Sequence, residues 1–115
     1  MTTQLGKALK KLRIDHEERL MDMAAKLSRS ASFLSAVEVG KKAPPTGFED
    51  EVIRAYNLNE EIAAPLRQAA DYCRKVFTLK PESSLGRDTA GLMARRMNSL
   101  SDQQLMEIKK ILNRD

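Results

Sequence analysis

The chain is short of cysteine, histidine, aromatics and long apolar runs, and each shortage removes a class of function. It has one cysteine, Cys73, and one histidine, His16, which leaves no internal disulfide, no zinc-ligand spacing and no redox pair. Cys73 is expected as a small core residue, because a free thiol packs like a small hydrophobe. His16, among charged neighbours, is expected in a solvated loop. Trp is absent and Tyr and Phe together number five, so any core must be mainly aliphatic, with the methionines as packing residues. No apolar run approaches the roughly 18 residues of a membrane span. The opening MTTQLGKALKK also has no apolar segment leading to a small-residue cleavage site. Both features point to a cytoplasmic protein that does not enter a membrane. Paired carboxylates, a glycine-rich phosphate loop and a metal-ligand cluster are missing too, so the expectation is no enzyme, no cofactor and no metal.

What the sequence does have is helical periodicity. Its 115 residues suit one domain, or a small core with an appendix. Leu5, Ala8, Leu9 and Leu12 recur at i, i+3, i+4 and i+7, which predicts a helix over about Gln4 to Ile14. After the polar break DHEE the spacing returns in Leu20, Met23, Ala24 and Leu27. Ser30 can cap a third helix that buries Leu34 and Val37 and stops at Gly40. KKAPPTG is a loop, because paired prolines lack donors and restrict the residues before them. Phe48, Val52, Ala55 and Tyr56 predict a fourth helix. Asn59 can cap a fifth, with Ile62, Leu66, Ala69, Ala70 and Cys73 on one face. Pro65 requires that this helix either bend there or begin near Ala64.

Beyond Arg74 the character changes. Val76, Phe77, Thr78 and Leu79 favour extended backbone, and Pro81 ends the run. The segment is either a short strand paired with its copy in another subunit or an extended linker. Leu85, Leu92, Met93 and Met97 then mark a helix from Ser84. Ser101 and Gln104 form a capping box for a last helix carrying Leu105, Ile108, Ile111 and Leu112. The two are expected as an antiparallel hairpin. The fold class expected is therefore all-α: five helices in residues 1–72, then a C-terminal extension over residues 73–115.

Charge is unevenly spread. Residues 1–42 hold nine Lys/Arg and five Asp/Glu, residues 43–72 two and six, and residues 73–115 nine and five. Basic blocks flank an acidic one, and the overall excess of +4 hints at a polyanionic partner.

Five short helices with a tight break between the second and third suggest a helix-turn-helix unit among several all-α options. The stretch MAAKLSRSASFLSAVEVGKK sharpens this. Ala24, Leu27, Ser30, Leu34, Ser35, Val37, Glu38, Gly40 and Lys41 fall in register with the lambda-repressor-like Xre family, which residues 4–72 resemble. The resemblance implies binding to double-stranded DNA through helix 3, with a structural ion pair between Arg13 and Glu38. It also implies a phosphate contact from Arg19, where the family uses a polar residue at the start of helix 2. Ser28 stands where the family usually has glycine, which suggests a looser turn.

The outward residues of helix 3 are Ala31, Ser32, Phe33, Ser35 and Ala36, with Phe33 belonging either there or in the core. None can make the forked contacts by which Arg, Asn and Gln read bases. Base contacts are expected from Ser32 and Ser35, from Ala31, Phe33 or Ala36 on thymine methyls, and from Arg29, which could equally meet a phosphate. Ser30, Lys41 and Lys42 are expected on phosphates, while Lys10, Lys11 and Lys26 are either phosphate contacts or a solvated face. A single module binds weakly, so a homodimer is expected, with Val76, Phe77, Leu79, Leu92, Met93 and Met97 as its contacts. The basic residues of the extension, Arg95 and Arg96 among them, could instead lengthen the DNA footprint. The resulting expectation is a dimeric repressor. The alternatives are an antitoxin that binds both DNA and a protein toxin, and a protein-protein adaptor on the same fold.

Overall fold

A computed structural model of the protein describes residues 2–114. These form seven α-helices with a short 3-10 turn and no strand, so the protein is all-α. No helix among the described residues is long and apolar enough to cross a membrane. The helices are α1 (Gln4–Asp15), α2 (Leu20–Lys26), α3 (Ala31–Glu38), α4 (Phe48–Tyr56), α5 (Glu60–Asp71), α6 (Ser84–Arg96) and α7 (Asp102–Asn113). The chain divides into two units, one ending at Phe77 and one starting at Thr78.

In the first unit α1, α3 and α5 begin where a side chain can take a free N–H. Thr3 Oγ1 accepts from Gly6 at 3.0 Å, Ser30 Oγ from Phe33 at 3.0 Å and Asn59 Oδ1 from Ile62 at 3.2 Å. The stops are conformational. Gly40 (φ 81°) follows α3, and Asn57 (φ 50°) ends α4 in the left-handed region that Gly and Asn tolerate best. Helix α5 starts at Glu60 and runs through Pro65 instead of starting near Ala64. The Asn59 cap, with Glu60 and Glu61 at the positive end of the helix, offsets the bond that proline removes.

The core joins Leu5, Leu9 and Leu12 of α1 to Met23, Ala24, Leu34, Val37, Phe48, Val52, Tyr56, Leu66 and Ala70, with Leu27 from the turn after α2. Helix α3 packs on α1 and α2, and α5 on α1 and α4. At about 1.5–3 kcal/mol for each fully buried large aliphatic side chain, this cluster is the main source of stability. Ile62, expected on the inner face of α5, is half-exposed, and Cys73 is half-buried at the core's edge.

The division falls five residues later than the expected end of the first domain at residue 72. Arg74 explains the difference: its guanidinium donates to the carbonyls of Pro44 (3.0 Å) and Pro45 (2.7 Å) and to both Glu49 oxygens. Residues 73–77 are thereby fastened to the first unit. Residues 76–82 form neither helix nor strand in the single chain.

In the second unit Ser83 Oγ caps α6 by accepting from Gly86 at 2.9 Å. Ser101 and Gln104 close the capping box of α7 at 3.1 and 2.9 Å. Neither helix contains a fully buried residue, although Ala90 and Met93 of α6 and Leu105 and Ile108 of α7 are half-buried.

Candidate nucleic-acid interface

The geometry of α3 is set from its C-terminal end. Glu38 and Arg13 are both buried and joined by two parallel bonds, Nη1 to Oε2 and Nη2 to Oε1, the second at 3.1 Å. Nη1 also donates to Met23 Sδ at 3.4 Å. Burying two charges is costly, and the paired, forked geometry offsets that cost. The backbone adds a second tie, since Thr3 N and Oγ1 both donate to the Glu38 carbonyl, at 3.0 and 3.2 Å. That closeness requires Gly6, where a Cβ would sit 2.3 Å from the same carbonyl oxygen. The end of α3 is thus fastened to both ends of α1, and the helix angle is rigid.

The turn entering α3 keeps a tight left-handed bend at Ser28 (φ 57°). The looser turn expected from the missing glycine is not adopted; serine carries the strain instead.

On the outward side of α3, Ser32 and Ser35 are exposed and Ala31 and Ala36 half-buried. With Leu20, Val39 and Lys41 they line one shallow, open concavity. Lys41 and Lys42 follow, both exposed, and Arg19 is exposed at the start of α2. Ser30 is exposed as well; its oxygen caps the helix and its proton remains available to another acceptor. A more enclosed groove runs between α1 and α5, lined chiefly by Ala8, Leu12, Ile62, Pro65 and Leu66. It is apolar and contains no residue of α3.

Phe33, expected either outward or in the core, is half-buried, packing edge-on against Phe48 with ring centres 6.0 Å apart. Arg29 is not a free cation, because it pairs with Glu51 through Nε (3.3 Å) and Nη2 (2.8 Å). Its guanidinium carbon and Lys42 Nζ lie 4.9 and 5.3 Å from the centre of the Phe33 ring. Among the other lysines, Lys26 bonds Glu18 at 2.5 Å and lies over Tyr56, Lys11 pairs with Asp15 at 3.6 Å, and Lys10 bonds Thr2.

Several residues of consequence were invisible in the sequence. Arg74 and Glu49 form a nearly buried pair; the Arg74 guanidinium holds the Glu49 carboxyl below its ordinary range, and Glu49 raises Arg74 in turn. Glu18 accepts from Lys26 and from the Tyr56 hydroxyl, which hold its carboxyl low, while burial and then Glu18 raise the Tyr56 hydroxyl. His16 lies exposed beside them, edge-on to Tyr56 at 5.0 Å. Periodicity offers no signal for Arg74–Glu49 or Tyr56–Glu18, whose partners are 25 and 38 positions apart.

Of the expected dimer contacts, Val76, Phe77, Leu79, Leu92 and Met97 are exposed, and Met93 is half-buried. No family model, curated protein or solved structure matches the chain.

Proposed function

We propose that this protein is a sequence-specific, double-stranded-DNA-binding transcriptional regulator of the Xre helix-turn-helix type. In this reading α3 is the recognition helix and the protein acts as a homodimeric repressor on a palindromic operator. The observation that carries the reading is the exposure of Ser32 and Ser35 on a helix whose angle is locked by Arg13 and Glu38. Lysines follow its end, where a phosphate backbone would run.

Arg19, Ser30, Lys41 and Lys42 would position the protein on phosphates, and the small residues of α3 would approach base edges closely. Small side chains read bases weakly, so part of the selectivity would come from the shape of the DNA. A two-fold dimer places its α3 helices in successive major grooves, about 34–36 Å apart.

Selection of bound duplexes from a random pool tests the reading. Paired, inverted half-sites centred roughly 10–10.5 base pairs apart are expected, with affinity that falls steeply as salt rises. Removing Lys41 or Lys42 should lower the salt slope by about 0.9 per phosphate contact. Binding to no duplex at low salt would end the proposal.

A further inference from the structure

The small residues on the outward side of α3 offer no forked donors, and the guanidinium next to them in sequence is that of Arg29, immediately before the Ser30 cap. In a helix-turn-helix complex this is the end of the recognition helix that meets base edges. Arg29 is held on two sides. Glu51 takes its side-on donors, Nε at 3.3 Å and Nη2 at 2.8 Å. The Phe33 ring lies 4.9 Å away and is itself fixed against the fully buried Phe48.

The contacts leave one edge of the guanidinium unused. Nη1 makes no hydrogen bond among the described residues, and Nη2 keeps its second proton. Together they form an end-on pair of parallel donors. Two acceptors in one plane, the O6 and N7 atoms of guanine in the major groove, match that pair. The side chains of Arg29 and Glu51 keep 29% and 30% of their surface accessible while paired.

Charge distinguishes this arrangement from a phosphate contact. Arg29 and Glu51 together are neutral and add little long-range attraction to a polyanion. A carboxylate that aligns an arginine costs attraction and adds directionality, which serves base reading and not backbone binding.

On the DNA-binding reading above, we propose that Arg29 reads a guanine in each half-site, and that Glu51 and Phe33 are positioning residues that aim its free edge.

The test compares wild type, Glu51→Gln and the double variant Arg29→Met/Glu51→Gln on wild-type-selected duplexes and on duplexes substituted at each guanine. The double variant keeps the net charge. It is expected to lose about ten- to a hundredfold of discrimination at one guanine position per half-site and little at the others. Glu51→Gln frees the charge of Arg29 and removes its alignment, so it should bind all duplexes more tightly, with a steeper salt dependence and weaker guanine preference. A double variant that weakens every duplex equally, or keeps the full guanine preference, overturns the inference and leaves the DNA-binding reading standing. The same holds if wild type selects sites without a shared guanine. Wild type that binds no duplex overturns both.

Discussion

At the scale of single residues, the molecule depends on charges that are buried in pairs. Removing one partner of such a pair leaves the other desolvated and alone, a loss of about 3–5 kcal/mol. Glu38→Ala is therefore expected to lower the urea midpoint sharply and, by loosening α3, to weaken DNA binding. Arg13→Met/Glu38→Leu should recover most of that stability, because the uncompensated charge is gone. A Glu38→Ala variant as stable as wild type would show that the pair does not set the helix angle. Acid sensitivity follows from two other carboxyls. Glu49 and Glu18 are held below the ordinary value of 4.5 by Arg74 and by Lys26 with Tyr56. As pH falls, the unfolded chain then binds protons before the folded one does. Their contribution is complete above about pH 4.5 and is lost as pH drops through their lower folded values. Thermal melts below pH 4.5 should show Glu49→Gln, already weaker at neutral pH, losing less on acidification than wild type. The Arg13–Glu38 pair was within reach of sequence reasoning only through the resemblance to a known family. Arg29–Glu51 and Arg74–Glu49 were not, since nothing in local spacing marks partners 22 and 25 positions apart.

At the scale of elements, starts and stops were largely legible. Capping is local chemistry, and Ser30, Asn59 and Ser101 each hold the N–H that their position in the sequence implies. What local chemistry could not decide was how a helix responds to conflicting signals. In α5 the Asn59 cap prevails over Pro65, because the helix is already nucleated one turn earlier. In the turn before α3, tertiary packing prevails over the preference of serine. Leu27 and Leu34 on either side are both buried, and Ser28 between them lies in the left-handed region. That conformation costs a non-glycine residue roughly 1–2 kcal/mol, against a glycine entropy cost of about half to one. Ser28→Gly should thus raise the melting temperature by a few degrees without changing base preference. A lower melting temperature would mean that the serine makes a compensating contact.

At the scale of the whole molecule, the buried core lies in one of the two units. Every buried hydrophobic residue lies between Leu5 and Ala70, while α6 and α7 bury none. A segment of under about 40 residues rarely builds a core alone, and here Leu85, Leu92, Met106, Ile111 and Leu112 are all more than half exposed. The sequence showed both helices and how little core they have, but not what covers them, because an amphipathic stripe reads the same whether its partner lies in the same chain or in another. If the partner is a second copy, shortening the protein after Phe77 should leave the urea midpoint of the first unit nearly unchanged, since Arg74 and the entire core are retained. The same truncation should convert a dimer to a monomer in sedimentation equilibrium, and a monomer engages only one half-site. Affinity for the full palindrome should then fall far more than affinity for an isolated half-site, with base preference within the half-site preserved. A truncated protein that remains dimeric but shows a shallower salt slope would instead assign the basic residues of the extension to the DNA backbone.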